Sequence, residues 1–198
     1  MKIISLKTNP NLYSGKTYLL LGSWNTLSDV NTVIDTGSDD FILKEIESTN
    51  TGLGKVAVDK VILTHNHFDH MGGAQHLKKK FQCKVYAKIF TDDIVDEILN
   101  DGEEIRIADR LFTIIYTPGH STDSICLYCK EDQVLFSGDT QLQIRDSTAT
   151  YDEGFVEAIK KLSLLPIKVI YPGHGDPIIA NAEKMIQDSL AVVLKSRT

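Results

Sequence analysis

Thr64-His65-Asn66-His67-Phe68-Asp69-His70-Met71-Gly72-Gly73 is the stretch that indicates most about this chain. It groups three histidines and an aspartate, although the whole chain has only 6 histidines in 198 residues. Imidazole and carboxylate groups are typical ligands of zinc. We therefore interpret the block as part of a metal site, rather than as surface residues and a helix cap.

Three further segments carry the other candidate ligands. His120 ends Tyr116-Thr117-Pro118-Gly119-His120, Asp139 lies in Ser137-Gly138-Asp139-Thr140, and His174 lies in Tyr171-Pro172-Gly173-His174-Gly175. Each of the four segments follows a short apolar run bounded by Gly, Pro or Asp, which is typical of a buried strand. We therefore expect four strands to present ligands just past their carboxyl ends.

The spacing predicts two metal ions bound side by side. His65 and His67 are two positions apart, so in an extended segment both rings point to the same side. Asp139 can bridge two ions, because a carboxylate has two oxygens. The first ion is expected to bind His65, His67 and His120. The second ion is expected to bind Asp69, His70 and His174.

Such a centre predicts hydrolysis of a small carbonyl substrate. Two Zn²⁺ ions, with iron or manganese as the alternatives, would attract a carbonyl oxygen and lower the pKa of water to about 7. The expected nucleophile is a hydroxide that bridges the two zinc ions and is held by a hydrogen bond to Asp69, the candidate catalytic residue. No serine or cysteine nucleophile is needed, so no covalent intermediate is expected.

The motifs THNHFDHMGG, TPGH, SGDT and YPGHGDP, in this order, resemble the signatures of the metallo-β-lactamase superfamily. Val33-Ile34-Asp35-Thr36-Gly37 resembles the first signature of that family. The resemblance extends from about Tyr18 to Pro177 and implies the same seven metal ligands. It also implies that Asp35 orients the ligand loop, whereas its position before Gly37 is also typical of a turn residue.

The resemblance implies an α/β fold of four layers, an αβ/βα sandwich in which two mixed β-sheets pack face to face with helices outside. Periodicity alone leaves a doubly wound sheet as the alternative. Residues 1–198 are expected to form a single metallo-β-lactamase-like domain. Apolar patterns predict strands over 18–21, 32–35, 60–63, 84–87, 111–116, 124–128, 133–136 and 168–171. They predict helices over 39–48, 71–80, 92–99, 153–164 and 182–194.

Within the family, the chain most resembles the small hydrolases of the glyoxalase II type, which act on thioesters of glutathione or related thiols. After Thr140 the chain reads Gln141-Leu142-Gln143-Ile144-Arg145, which differs from the Cys-Gly-Arg-containing loop of those enzymes. A different thioester, a lactone or another small ester is therefore also a candidate substrate. Two other classes remain as alternatives, a mononuclear-iron persulfide dioxygenase and a small metal-dependent ribonuclease.

Composition bears on partners and compartment. A net charge of −6 disfavours binding to the phosphate backbone of nucleic acids, so we expect a small-molecule substrate and leave the oligomeric state open. No apolar run approaches the length of a membrane span and the N-terminus has no signal-peptide pattern, so a cytoplasmic location is expected. Cys83, Cys126 and Cys129 are expected to be buried thiols.

Several residues outside the motifs are also candidates for contact with substrate. They lie in residues 9–16, where Tyr13 is the aromatic residue, in the loop around Trp24, and in residues 141–151. His76 lies off the apolar stripe of its predicted helix and is expected to be a surface residue.

Overall fold

The computed structural model describes residues 1–91 and 93–196, which contain two β-sheets. The first sheet is ordered β1-β2-β3-β4-β5-β6 and consists of β1 (Lys2–Leu6), β2 (Thr17–Leu21), β3 (Thr32–Ile34), β4 (Lys60–Ile62), β5 (Lys84–Ala87) and β6 (Glu97–Ile98). The second is ordered β11-β10-β9-β8-β7 and consists of β7 (Glu104–Ile107), β8 (Arg110–Tyr116), β9 (Ile125–Cys129), β10 (Val134–Gly138) and β11 (Val169–Pro172).

The helices of the described residues are α1 (Phe41–Glu47), α2 (Phe68–Met71), α3 (Ala74–Phe81), α4 (Glu153–Ser163) and α5 (Ala182–Lys195). Within these described ranges no helix has both the length and the apolar character that a membrane crossing requires.

Both sheets are mixed, and their strand directions determine which loops meet. In the second sheet β8 and β10 are each antiparallel to β9, and β11 is parallel to β10. The carboxyl ends of β8, β10 and β11 therefore lie at one edge. In the first sheet β3 and β4 are parallel, so their carboxyl ends also lie together.

The apolar side chains form three clusters that separate four layers. Leu20 and Phe136 belong to the cluster between the two sheets, whereas their neighbours Leu19 and Leu135 face the helices on opposite sides of the molecule. This alternation along each strand is the normal consequence of the β pleat. Helices α1 and α3 cover the first sheet, and α4 and α5 cover the second. The αβ/βα sandwich is thus confirmed, and the doubly wound alternative is wrong.

The helix predicted over residues 92–99 is wrong in its described part. Residues 93–94 form a turn, and β6 adds to the edge of the first sheet in parallel with β5. The Asp96 carboxylate accepts hydrogen bonds from the Val85 N–H at 2.8 Å and from the Lys78 ammonium at 2.7 Å. These partners are distant in sequence, so local periodicity does not reveal them. Asp92, where the predicted helix begins, lies outside the described residues.

Besides β6, two further strands are additional to the predicted set, β1 and β7. In β7 the side chains of Ile105 and Ile107 are buried while those of Glu104 and Arg106 are exposed. This alternation of buried and exposed side chains is typical of a strand with one face in solvent, although the strand has only four residues.

The helix predicted over residues 71–80 begins later, as α3 at Ala74, because Met71 ends the short helix α2 and Gly72 and Gly73 separate the two helices. A Cβ on Gly72 would overlap the carbonyl group of Ser38, and one on Gly73 would lie 2.6 Å from the carbonyl oxygen of Thr36. The two glycines therefore let α2 approach the backbone of residues 36–39. At this contact the His70 carbonyl accepts hydrogen bonds from the Thr36 N–H at 2.6 Å and from its hydroxyl at 2.9 Å.

Replacing Gly72 tests this close contact. The Cβ of Gly72→Ala meets backbone atoms that have little freedom to move, so we expect a loss of stability of about 1–3 kcal/mol, as for other overpacked sites. Thermal and urea unfolding would measure the loss. Gln75→Ala, at an exposed position of α3, is the control and should change stability by less than about 0.5 kcal/mol. Equal stabilities of the two variants would contradict the contact.

Candidate metal centre

The loops that follow β4, β8, β10 and β11 meet at one edge of the two sheets. The loop after β4 leads directly into α2, so its four candidate residues are carried by a short rigid segment. Two glycine-containing turns complete the edge, after β10 and after β11. The side chains that converge there are those of His65, His67, Asp69, His70, His120, Asp139 and His174.

Three imidazoles form the first group. Potential ligand nitrogens of His65, His67 and His120 all lie within 4.8 Å of one another. The Nδ1 of His67 is 2.9 Å from the Nε2 of His120. His65 is buried, and among the described residues its Nε2 has no hydrogen-bond partner.

The second group consists of Asp69, His70 and His174, whose potential ligand atoms also lie within 4.8 Å of one another. The Nε2 of His174 is 3.1 Å from an Asp69 carboxylate oxygen and 3.3 Å from the Nε2 of His70. The two groups contain the residues that the spacing of the motifs assigns to two ions, and a third group, His65, His70 and Asp139, overlaps both.

Asp139 lies between the two groups. Its Oδ2 is 3.5 Å from the Nε2 of His120 and 3.4 Å from the Nε2 of His174. Its Oδ1 is 3.3 Å from the Nε2 of His70, yet within the described ranges it accepts no hydrogen bond. One carboxylate therefore faces both groups, which is the position that a bridging ligand requires.

The Asp35 carboxylate contacts Thr64 and His70 next to the candidate centre. Its carboxylate accepts hydrogen bonds from the Thr64 N–H and the Thr64 hydroxyl, both at 2.8 Å, and lies 2.8 Å from the Nδ1 of His70. This contact directs the Nε2 of His70 toward the second group. Asp35 also has a left-handed backbone, with φ +53°.

Glycines allow the backbone to pass directly against these side chains. A Cβ on Gly15 would lie 2.7 Å from the Cε1 of His70. A Cβ on Gly173 would lie 2.6 Å from the same atom and would overlap the Asp139 carboxylate. Larger residues at either position would displace the side chains that form the two groups.

The environment gives these groups different protonation. Burial lowers the pKa of His65 to about 4, so this imidazole is neutral and keeps a free lone pair. Burial also lowers the pKa of His70, but the adjacent carboxylates of Asp35 and Asp139 outweigh it and raise the pKa to about 10. Burial raises the pKa of Asp139, but the nearby imidazoles, first of all that of His70, together have a larger, opposite effect. The pKa is lowered to about 2, so the carboxylate is ionised.

The other candidate residues are distributed between the two ends of the sheets. Tyr13 lies at the candidate centre, with its hydroxyl 3.3 Å from the Nε2 of His174. Gln141 and Tyr151 line a pocket of about 620 Å³ beside His120. The loop around Trp24 is excluded as a contact for a substrate at the candidate centre. Because β2 is antiparallel to β3, the loop that follows β2 lies at the opposite edge of the sheet.

His76 and the cysteines agree with the expectations from sequence. His76 is exposed on α3 and belongs to none of the candidate ligand groups found within the described ranges. Cys83, Cys126 and Cys129 are buried free thiols.

Residues 24–174 match the model of the metallo-beta-lactamase superfamily. This chain belongs to that superfamily. Members of the superfamily bind divalent metal ions such as zinc or iron, and the residue types of the two groups agree with this property.

Two curated relatives illustrate the activities found among similar superfamily members. An atrochrysone carboxyl ACP thioesterase of Aspergillus fumigatus is 29% identical over 162 residues, which cover 80% of this chain and 51% of the relative. A hydroxyacylglutathione hydrolase of Marinomonas sp. is 31% identical over 157 residues, which cover 75% of this chain and 57% of the relative. The chain thus spans about half the length of the curated relatives that it matches.

A solved structure of the superfamily has the same fold. The crystal structure of BLEG-1 B3 metallo-beta-lactamase superposes with a TM-score of 0.72, at 21% identity, and covers 97% of this chain and 99% of that chain. At this level of identity the similarity concerns the fold alone.

Replacing Asp35 tests its support of His70. The Asp35 carboxylate contacts three hydrogen-bond donors. In Asp35→Asn an amide NH₂ replaces one of the carboxylate oxygens and cannot accept a hydrogen bond, so at least one buried donor loses its partner. We expect a loss of stability of about 1–3 kcal/mol and a metal affinity lowered by roughly 10- to 100-fold. Unfolding experiments and metal titration of the chelator-treated protein would measure both.

Asp59→Asn is a matched control for this substitution. Asp59 lies at the opposite end of the β3–β4 pair, and one of its oxygens accepts a hydrogen bond from the Asn31 N–H at 2.7 Å. An asparagine retains that acceptor, so metal affinity should not change. The orienting role of Asp35 would be refuted by equal metal affinities of the two variants.

Proposed function

We propose that this chain is a metal-dependent hydrolase that binds two divalent ions at the candidate centre. The observation that carries the proposal is the pair of buried acceptors, the Nε2 of His65 and the Oδ1 of Asp139, that lack hydrogen-bond partners among the described residues. Leaving a buried polar atom unpaired costs free energy, and a cation between the two groups would remove this cost. Donors that consist of imidazole and carboxylate fit such a cation.

The proposed assignment follows the two geometric groups. The first ion would bind His65, His67 and His120, and the second would bind the residues of the other group, Asp69, His70 and His174. Asp139 would bridge them, since its carboxylate lies within 3.5 Å of His120 in the first group and within 3.4 Å of His70 and His174 in the second. Zn²⁺ is the proposed ion. Iron and manganese accept the same nitrogen and oxygen donors and are the alternative ions.

The proposed reaction is hydrolysis of a thioester or another small ester. When bound, a pair of divalent ions supplies a hydroxide nucleophile at neutral pH and a Lewis acid for the carbonyl oxygen. Asp69 is the proposed catalytic residue. Its side chain is 18% exposed, so its carboxylate can accept a hydrogen bond from the attacking water and orient it. No side-chain nucleophile takes part in this scheme.

The substrate class is supported by the relatives and by charge. One relative is named a thioesterase and the other a hydrolase of hydroxyacylglutathione, which is a thioester of a small thiol. The net charge of −6 disfavours a nucleic-acid substrate. We therefore propose a small-molecule thioester as the substrate.

Domain organisation and compartment are further parts of the proposal. Strands from both terminal regions, β1 and β11, contribute to the two sheets, which supports residues 1–198 as one metallo-β-lactamase-like domain. Three free, buried cysteines fit a reducing compartment, and we propose the cytoplasm.

Replacing His67 tests the metal assignment. His67→Ala removes one nitrogen of the first group, so we expect the metal content to fall from two ions toward one. We expect hydrolysis to fall by at least roughly 100-fold, since even residues that merely orient ligands affect activity by 10- to 100-fold. His76→Ala, at an exposed position of α3, should retain both metal and activity. Equal losses in the two variants would show that metal binds elsewhere.

A substrate panel tests the reaction itself. Elemental analysis of the purified protein should show about two divalent ions per chain, and the same sample should hydrolyse an acyl-glutathione or an acyl-pantetheine thioester. A chelator should abolish this hydrolysis, and added Zn²⁺ should restore it. A metal-loaded protein that instead cleaves single-stranded RNA, or consumes oxygen with glutathione persulfide, would exclude the proposed reaction.

A further inference from the structure

Tyr13 has an unusual position for an exposed aromatic residue. Its side chain is 77% exposed, yet its ring stacks on His174 with 5.0 Å between ring centroids and an interplanar angle of 20°. Its hydroxyl lies 3.3 Å from the Nε2 of His174. Among the described residues, the hydrogen-bonding contact of this phenol is thus made with a nitrogen of the candidate metal centre.

The loop that carries Tyr13 is fixed to the centre on both sides. The Tyr13 carbonyl accepts a hydrogen bond of 2.6 Å from the Ser38 hydroxyl. The Gly15 N–H donates to the Asp69 carbonyl at 2.9 Å, and the Lys16 N–H donates to the Gly173 carbonyl at 2.7 Å. The backbone of residues 13–16 is therefore held by the same segments that carry Asp69 and His174, and it presents the phenol at a defined place.

The Tyr13 hydroxyl is a hydrogen-bond donor of a kind that the proposed ligands themselves do not supply. The seven proposed ligands would direct nitrogen lone pairs and carboxylate oxygens toward the ions, so they offer no donor toward a substrate. A tyrosine hydroxyl can donate one hydrogen bond. If the Nε2 of His174 binds an ion, it no longer serves as the partner of this hydroxyl, and the phenol proton can be donated to another acceptor on the exposed side.

We propose that Tyr13 is a catalytic residue that donates a hydrogen bond from its hydroxyl to the substrate oxygen that gains negative charge during hydrolysis. The inference rests on the function proposed above. The proton stays on the phenol, and the hydrogen bond stabilises the developing oxyanion, as preorganised donors do in other acyl-transfer sites. The fixed loop keeps the donor in place before the substrate arrives, so no reorganisation is needed during the reaction.

Tyr13→Phe tests the hydroxyl while the ring remains on His174. With the zinc-loaded protein, calorimetric titration with methylphosphonate, a stable tetrahedral oxyanion, should show binding weakened by roughly 10- to 100-fold, as expected when a hydrogen bond to a charged group is lost. With a thioester substrate, kcat should fall by roughly 100-fold, with a smaller change in KM. Metal content should not change. Tyr128→Phe is the matched control, because its hydroxyl donates to the Pro166 carbonyl at 3.1 Å, outside the candidate centre.

The outcomes separate this proposal from the proposed function. Weakened methylphosphonate binding in Tyr13→Phe alone would support the donor role, even if no ester were hydrolysed and the proposed function failed. Unchanged binding would show that the ring only packs on His174 and would overturn the proposal. It would also be overturned by wild-type protein that binds two ions but no methylphosphonate, or by loss of metal in Tyr13→Phe.

Discussion

The carboxylate of Asp35 is the constraint on which the candidate centre depends. It joins the end of β3 to the end of β4 through the Thr64 N–H and hydroxyl, and it holds the Nδ1 of His70 at 2.8 Å. Because Asp35 is buried, each of these contacts is made in a low-dielectric environment where an unpaired donor would be costly. Thr64, at the start of the histidine-rich block, and the imidazole of His70, the third residue of α2, are thus positioned by one side chain.

Close backbone packing makes this arrangement rigid. Gly72 and Gly73 bring α2 against residues 36–39, while Gly15 and Gly173 let two further segments pass against His70 and Asp139. Side-chain ligands on rigid, closely packed segments keep their geometry without a bound group. The two sheets also position the candidate residues, because strands that run in the same direction have their carboxyl ends at one edge.

The sequence predicts those parts of the molecule that depend on local patterns. The strands that precede His65, Asp139 and His174 are apolar runs bounded by turn residues, and the six side chains of the two groups, with Asp139 between them, lie as their spacing suggests. It does not predict β6, whose place depends on Asp96 binding Val85 and Lys78, or the break at Gly72, which depends on contact with Ser38. Tyr13 is an aromatic residue in a loop, and only long-range backbone hydrogen bonds place it beside His174.

The imidazoles of the candidate centre lie close together, and one of them has a buried nitrogen without a hydrogen-bond partner among the described residues. Imidazole nitrogens of His67 and His120 lie 2.9 Å apart, those of His70 and His174 lie 3.3 Å apart, and the buried Nε2 of His65 has no partner among the described residues. Local conflicts of this kind persist where the surrounding structure holds the groups in place, and they are typical of functional sites. In this chain, Asp35 and the close backbone contacts at Gly15 and Gly173 keep these groups in place. A cation bound by these imidazole and carboxylate groups would be a favourable interaction, so metal binding should stabilise the folded chain.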